Sequence, residues 1–432
     1  MKYNSYMGKN IIRMLALTAV LMYPPGAYAG ITLQECRDKA RANYPLISRY
    51  DLIRTTVECN VRNASQAWLP RIEISAGGAW LSNVTHASDI EPMLGAIASF
   101  VDMSDYNEQP WQYQAGATLT QNIWDGGASA LGRKTAKATA ARDESELEVE
   151  LYNLEKQVDE VFFSILLLEE RLKQAKGRAH VLESNLKKMQ TLYSEGTVTA
   201  MDIKSMEAEV ITARQQIDLI ENNVFSSRLS LSLLTSANLE EEQLVIPQEP
   251  LTATVQPEYA LIESNRRLLE LNLSRLNTEL HPKIGLYADA YYGYPGRNLF
   301  KTLTDHSPNL NASVGIQLKF NLSALYSRSN DKAVISQQLH ELDLQKDMLD
   351  FRTKLNESGV SQEIRFLRKA MADDDEILRL RTEIRIAAEE KLNNGVINAS
   401  DLLSKINDES AAALQKSIHR IELLQALYRQ TR

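Results

Sequence analysis

The sequence predicts an α+β fold, mostly α, in which a unit of two β-strands and a long coiled-coil helical hairpin occurs twice. A ten-residue segment that starts at Tyr193 returns 199 residues later, so that Gly196 matches Gly395 and Asp202 matches Asp401. The same shift superposes a strand-like segment of the first half on one in the second half. Because the repeated stretch contains strand, long helix, turn and helix in one order, it indicates a duplicated supersecondary unit.

Residues 1–29 have the features of a secretory signal peptide. Three basic residues precede an apolar run that ends at Tyr23, and Ala27-Tyr28-Ala29 has the small-x-small pattern of a cleavage site. The alternative, a membrane anchor, needs about twice as many apolar residues. Cleavage would take the formal charge from −8 to −11, which disfavours nucleic acid as a partner.

Four segments alternate apolar and polar residues with the period of a β-strand: residues 71–80, 112–123, 283–294 and 311–322. A strand of about ten residues, when tilted, is long enough to cross a bilayer. The alternation leaves two interpretations open, a lipid-facing sheet and a soluble sheet with one wet face. The polar stretches 82–110 and 295–310, which join the paired strands, are predicted to be external loops.

The helical part is dominated by a heptad pattern within residues 128–192. Its apolar positions are Leu147, Leu151, Leu154, Val158, Val161, Ile165, Leu168, Leu172, Ala175, Ala179, Leu182, Leu186 and Met189. A second long helix with a weaker stripe is predicted at 324–391, and shorter return helices follow at 201–235 and 400–429. Each long helix ends at a glycine turn that is typical of a helix C-cap.

These elements divide the chain into predicted segments. They are the signal peptide at 1–29, N-terminal helices at 30–68, a first strand pair with its external loop at 69–123, a first coiled-coil hairpin at 124–236, a linker at 237–256, a helix at 257–280, a second strand pair with its loop at 281–322, and a second hairpin with the C-terminal end at 323–432. Cys36 and Cys59 are expected to be unpaired thiols, because they lie 23 positions apart on mostly helical chain.

If the four strands span a membrane, they need strands from other copies. Each unpaired backbone group in hydrocarbon costs several kcal/mol, so a membrane sheet has to close. About eight strands are the fewest that close a membrane barrel. Three copies of this chain would supply twelve.

Four motifs in one order resemble the TolC-like outer membrane factor family, also called outer membrane efflux proteins, over essentially the whole mature sequence. They are Leu33-Gln-Glu-Cys-Arg-Asp-Lys-Ala with Asn43-Tyr-Pro, Leu69-Pro-Arg-Ile-Glu-Ile, Leu119-Thr-Gln-Asn-Ile-Trp-Asp-Gly-Gly, and the two glycine turns. The resemblance implies a homotrimer with a 12-stranded β-barrel in the outer membrane of a Gram-negative bacterium, continuous with an α-helical periplasmic tunnel. It also implies that the segment 30–68 forms equatorial and tunnel helices, that 237–256 is an equatorial linker, and that 257–280 is a tunnel helix. It implies the exit duct of a tripartite efflux pump or a type I secretion system, which passively conducts its cargo.

The same resemblance implies the partners. They are outer membrane lipid, a periplasmic adaptor (membrane fusion) protein, and indirectly an inner membrane pump of RND, ABC or MFS type. The residues that would dock the adaptor are Gly196, Thr197, Val198, Gly395 and Val396. Asp202, Asp401 and Ser404 would lie at the periplasmic entrance, where Asp401 would contribute to an acidic ring.

Some residues have a simpler interpretation. Gly196 and Gly395 fit αL helix caps, and Asp202 and Asp401 fit acidic residues that complement a helix N-terminus. The chain departs from some relatives, because Ser404 replaces a second acidic residue and Ile397 replaces an arginine that locks the gate. The acidic run 373–376 either lines the lumen or forms a solvated helix face.

The sequence predicts no enzyme, cofactor or metal site. Its six histidines are scattered without metal-ligand spacing, and it has no phosphate-binding glycine motif. Energy for transport would therefore come from a partner. The alternative function is a non-transporting periplasmic coiled-coil scaffold, in which the strands form a soluble sheet.

Overall fold

The structure is a computed structural model that describes residues 30–95, 108–194, 196, 198–239, 242–250, 255–298, 301 and 306–432. The predicted signal peptide at 1–29, the tip residue Thr197 and parts of both predicted external loops lie outside the described residues. The chain divides into two compact units. One unit comprises Ser48–Val149 and Gln256–Arg352, and the other comprises the described residues of Met1–Ile47, Glu150–Val255 and Thr353–Arg432.

The first unit contains a four-stranded antiparallel sheet in the order β1-β2-β3-β4. The strands are β1 (Arg71–Trp80), β2 (Trp111–Trp124), β3 (Lys283–Tyr294) and β4 (Asn309–Lys319). Within the described chain, β1 and β4 each pair on one side only. The predicted bounds of β1 and β3 are confirmed, and β2 extends one residue further at each end.

The strand register places all four predicted apolar faces on the same side of the sheet. Directly paired residues point to one face, and three successive rows across the sheet are Ile72-Leu119-Ala288-Val314, Ile74-Ala117-Ala290-Ala312 and Ala76-Ala115-Tyr292-Leu310. This face is uncovered in the single chain, where Ile74 is 83% and Val314 81% exposed. The sheet therefore presents one continuous apolar surface.

The prediction for β4 is wrong at both ends, because the strand begins at Asn309 rather than at residue 311 and stops at Lys319 rather than at residue 322. Lys319 pairs with Lys283, the first residue of β3. The residue before it is Pro282, which has no N–H to continue the ladder. Beyond Lys319 the chain turns into a helix, and the amide of Leu325 donates to the carbonyl of Leu322 over 3.0 Å.

The first predicted external loop contains an unexpected short helix. This helix, α3, spans Ala87–Leu94. Asp89 accepts a hydrogen bond of 3.0 Å from the backbone amide of His86, which precedes the helix. A polar, turn-rich sequence conceals this helix, because its eight residues are too few to show a helical period.

The unit that contains the sheet also contains two further short helices and parts of two long helices. The short ones are α2 (Arg49–Ser65), flanked by 3₁₀ turns at Pro45–Ser48 and Gln66–Trp68, and α6 (Pro257–Thr278). The long ones are α4 (Ala128–Ser194) and α7 (Ala324–Asn393), which also continue into the second unit. Tyr259 on α6 donates a hydrogen bond of 2.6 Å to Asp350 on α7.

The second unit is helical. It contains α1 (Leu33–Asn43), α5 (Ala200–Thr235), α8 (Ala399–Gln430) and the remaining parts of α4 and α7. Every predicted heptad position from Leu147 to Met189 is buried or half-buried, so the predicted packing stripe of α4 is confirmed. The apolar stripe of α7 is less buried than that of α4. Four of its apolar residues are exposed in the single chain: Leu344, Met348, Phe351 and Leu355.

Ion pairs connect α1 to the long helix α4. Thr32 caps α1 in a capping box with Glu35, and Arg37 makes two hydrogen bonds of 2.7 and 2.8 Å to the carboxylate of Asp159. The same carboxylate also pairs with Arg432 at 3.1 Å. A bidentate arginine pair fixes orientation as well as distance, so α1 has one defined docking geometry on α4.

Both cysteines are free, as the sequence predicts. Cys36 is buried, and its burial raises the pKa of the thiol to about 12. Cys59 is exposed on α2. Among the described helices, none is both long enough and apolar enough to cross a membrane.

Candidate functional site at the paired helical tips

The first tip is the turn between α4 and α5. Gly196 has φ of +77°, and its amide donates to the carbonyl of Tyr193 over 3.0 Å. Nothing lies within 4 Å of the position that a Cβ of Gly196 would occupy. The requirement for glycine is therefore conformational, because the left-handed region is accessible to glycine without penalty.

The second tip, between α7 and α8, repeats this geometry. Gly395 has φ of +67°, and its amide donates to the carbonyl of Leu392 over 2.9 Å. The next amide, that of Val396, donates to the carbonyl of Lys391 over 2.8 Å. These two bonds form a Schellman motif with glycine at its C′ position.

Asp202 and Asp401 each lie six positions after a tip glycine, and both belong to capping boxes at the start of the return helices. Thr199 donates its backbone amide to Asp202 over 2.9 Å and its hydroxyl over 2.6 Å. At the second tip, Asn398 accepts a hydrogen bond of 2.9 Å from the amide of Asp401. The structure therefore gives both aspartates a capping role, whatever else they do.

The two aspartates differ in their surroundings. Asp202 is half-buried, and the hydrogen bonds from Thr199, together with the backbone N–H of Ala399 at the other tip, hold the pKa of its carboxyl below the ordinary value. Asp401 is exposed, as is Ser404 one turn later. Of the two residues, Asp401 is therefore the more exposed to solvent.

The two tips share one hydrophobic core. Residues of α4, α5, α7 and α8 meet in a cluster of twelve buried residues: Ala179, Leu182, Met189, Met206, Val210, Ala213, Ala388, Leu392, Ala399, Leu402, Leu403 and Ile406. Val198 and Ile397 are partly buried against it. Ile397 therefore stabilises the tip by packing, where some relatives are expected to carry an arginine.

Salt bridges join the helices around this core. Lys188 on α4 pairs with Glu389 on α7 at 3.3 Å and so connects the two hairpins. Within the hairpins, Arg178 pairs with Glu209 at 3.1 Å and Arg381 pairs with Asp408 at 2.9 Å. Since such exposed pairs contribute about 0–1 kcal/mol each, the apolar cluster is the main stabilising feature of the tips.

The end of the tips is apolar and uncovered. Met201 is 79% exposed and Val396 is 68% exposed, and Tyr193 is also exposed. Of the predicted docking residues, Gly196, Gly395 and Val396 are exposed and Val198 is half-buried. Exposed apolar side chains beside an acidic residue are suited to contact another protein.

The acidic run at 373–376 is neither a single row nor a fully solvated face. Asp374 is 7% exposed and contacts Nδ1 of His419 at 2.9 Å. Asp375 pairs with Lys416, and Glu376 pairs with Arg379 over 2.7 Å. The solvated-face interpretation is therefore wrong for Asp374, because this side chain is buried against His419 on α8.

No cluster of three or more His, Cys, Asp and Glu side chains with the geometry of a metal site occurs among the described residues.

Comparison with known proteins gives a family profile that matches part of the chain and a set of solved structures with the same fold. Residues 37–237 match the profile of outer membrane efflux proteins. No curated protein matches the chain. Among solved structures, the chain is similar to the outer membrane protein VceC from Vibrio cholerae, with a TM-score of 0.65, 12% identity, and coverage of 91% of this chain and 95% of VceC.

Two further solved channels have the same fold. The Campylobacter jejuni CmeC outer membrane channel has a TM-score of 0.63 and 12% identity over 93% of this chain and 87% of that one. The open state of the Neisseria gonorrhoeae MtrE outer membrane channel has a TM-score of 0.63 and 14% identity over 92% and 88%. At these identities the likeness shows the fold alone, and the profile match covers slightly less than half of the chain.

Proposed function

We propose that this chain is a member of the TolC-like outer membrane efflux protein family and that three copies of it form an exit duct of a tripartite efflux pump. Members of the family are transport channels rather than enzymes, and they lie in the outer membrane of Gram-negative bacteria with a large helical periplasmic part. The duct conducts its cargo passively, and an inner membrane pump of RND, ABC or MFS type supplies the energy. A type I secretion system would use the same duct for protein cargo.

The single observation that carries this proposal is the four-stranded sheet. All four strands expose apolar side chains on one face, and β1 and β4 each have one unpaired edge within the described chain. In lipid, every backbone polar group needs a partner, so such a sheet requires further strands. Pairing β4 of one copy with β1 of the next in a ring of three gives a closed barrel of twelve strands.

The aromatic residues of the sheet support a membrane location. Trp80 and Trp111 are paired at the loop end, and Trp124 lies at the opposite end of β2. All three are exposed. Bands of aromatic residues at both interfaces are typical of membrane barrels, where the indole N–H reaches the headgroups.

The paired tips are the proposed docking site for the periplasmic adaptor. Val396 and Met201 supply exposed apolar contact area, and Asp401 supplies a negative charge beside it. In a trimer, three copies of Asp401 around the axis would favour cations at the entrance and would repel each other. The shared core holds the tips of one chain together as one contact surface.

The first experiment tests assembly. The mature protein is extracted from washed outer membranes and analysed by size-exclusion chromatography with light scattering. We expect that detergent is required and that the extracted particle has the mass of three chains. A protein released by osmotic shock as a monomer or dimer would contradict the duct and support the periplasmic scaffold.

The second experiment tests the docking surface. We expect Val396→Glu combined with Met201→Glu to leave extraction and trimer mass unchanged but to abolish adaptor-dependent export, because charged side chains replace the apolar contact area. The control is Val255→Glu, which also alters an exposed apolar residue, in the linker that precedes α6. Normal export by the tip variant would show that the adaptor docks elsewhere.

A further inference from the structure

A short strap follows β3 at the loop end of the sheet. It consists of Pro295, Gly296 and Arg297. Tyr291 donates its hydroxyl to the carbonyl of Pro295 over 3.4 Å, and Asn311 on β4 accepts the amide of Arg297 over 2.8 Å. A Cβ on Gly296 would lie 2.3 Å from the side-chain oxygen of Asn309, so the strap passes directly against β4.

The side chain of Arg297 extends back along the sheet. Its guanidinium pairs with Asp289 and lies 5.7 Å from the ring centroid of Tyr291. Ser313 on β4 donates its hydroxyl to the same carboxylate. Because Asp289 lies five positions before the end of β3, the strap folds over the sheet instead of projecting beyond it.

Asp289 and Ser313 lie on the polar face. Their row across the four strands is Glu73-Thr118-Asp289-Ser313, which is the face opposite to the apolar rows. The row contains two carboxylates, and Arg297 compensates the charge of one of them. Glu73 on β1 is exposed and supplies the remaining negative charge of the row.

We propose that the strap narrows the outer end of the duct and that the Asp289–Arg297 pair determines the charge selectivity there. The proposal depends on the proposed function, since the polar face lines the lumen only if the sheet closes into a barrel. Each protomer then contributes one strap and one net negative charge to the same level of the lumen. Rings of charged side chains and the width of the pore are what determine ion selectivity and conductance in channels.

The test uses the purified trimer in planar lipid bilayers under a KCl gradient. Arg297→Gln and Asp289→Asn both break the ion pair that holds the side chain of the strap over the sheet, while the bonds to Asn311 and Tyr291 remain. Both should raise single-channel conductance, by about twofold if this side chain forms the narrowest point of the lumen. The reversal potential should shift in opposite directions. Arg297→Gln leaves Asp289 uncompensated and increases cation preference, whereas Asp289→Asn leaves Arg297 uncompensated and increases anion preference.

Two control variants separate charge from constriction. Glu73→Gln removes a carboxylate from the same row without touching the strap, so it should reduce cation preference and leave the strap constriction in place. The exchange Asp289→Arg with Arg297→Asp restores an ion pair with reversed polarity and should return conductance to that of the unsubstituted protein.

The outcomes are distinguishable. Unchanged conductance in both single variants, or reversal potentials that shift in the same direction, would overturn the strap proposal while the duct stands. A trimer that conducts in none of these forms would overturn the duct itself, and the strap proposal with it.

Discussion

At the scale of the residue, Asp374 differs from its acidic neighbours in being buried against His419. We expect Asp374→Ala to destabilise the contact of α7 with α8 by about 2 kcal/mol, because it leaves a buried imidazole nitrogen without its partner. Hydrogen exchange of the α8 segment around His419 measures the effect. The matched control is Asp373→Ala, an exposed position where a change within about 0.5 kcal/mol is expected.

Equal loss of protection in both variants would show that the acidic run acts as a whole. The sequence is compatible with a single acidic surface, since four successive acidic residues do not indicate which of them is buried. The decisive neighbour is on another helix, and a helical period with every position charged has no apolar stripe to orient it.

The capping carboxylate of Asp202 at the start of α5 should make the stability of that helix end depend on pH. The pKa of Asp202 is held below its ordinary value by Thr199. A carboxyl group with a depressed folded-state pKa stabilises the fold above its unfolded pKa, about 3.9 for aspartate, and this stabilisation is lost as pH falls through the folded pKa. Protection of the first turn of α5 against hydrogen exchange should therefore fall in acid below about pH 4.

The variant Asp202→Asn should remove that pH dependence, and Thr199→Ala should cost about 1 kcal/mol of local stability. Measurement at pH 5 and pH 3, normalised to intrinsic exchange rates, separates the two effects. A pH response that survives Asp202→Asn would assign it to a different group.

At the scale of the element, the tip glycines are required by backbone conformation. Gly395→Ala should destabilise the second tip by about 1–2 kcal/mol, because a Cβ is disfavoured in the left-handed region. Gly177→Ala is the matched control, since that glycine lies inside α4 with nothing near its missing Cβ. It should stabilise the helix by up to about 1 kcal/mol.

Hydrogen exchange of the segments around residues 395 and 177 gives both values. Equal and small effects would mean that the Schellman turn rearranges without penalty and that these glycines serve contact with a partner.

Elements with strong local signals could be predicted from the sequence, and those with tertiary causes could not. The period-two alternation predicts β1 and β3 to the residue, and the heptads of α4 predict its buried side. The C-terminal end of β4 cannot be predicted from its own residues, because it depends on the neighbouring strand β3. Phe320 continues the alternation of β4, but Pro282, which would face it, has no N–H to donate. The capping role of Asp202 and Asp401 was one of two interpretations, and only the geometry of Thr199 and Asn398 establishes it.

At the scale of the whole molecule, register is what turns four separate alternating strands into one surface. The sequence predicts which residues of each strand share a face, but the pairing of Ile74 with Ala117, and of Ala117 with Ala290, is needed to bring those faces together. A slip of one residue would place a polar strand face among apolar ones. The shared tip core likewise depends on contacts that the sequence does not specify, because it combines residues from both repeats.

This surface gives the most direct test of whether the sheet meets lipid. Ile316 and Gln317 are adjacent on β4 and point to opposite faces, and Ile316 is 73% exposed in the single chain. In a bilayer, Ile316→Lys should cost up to about 2–4 kcal/mol, the upper value being that of the midplane, and should reduce the amount of trimer recovered from washed outer membranes. Gln317→Lys places the same charge on the opposite face, so its yield should stay close to that of the unsubstituted protein. In a soluble sheet the expectation reverses, because lysine at an exposed position in water is tolerated at least as well as lysine at the half-buried Gln317. Comparing the two yields therefore discriminates between lipid and water as the solvent of the apolar face.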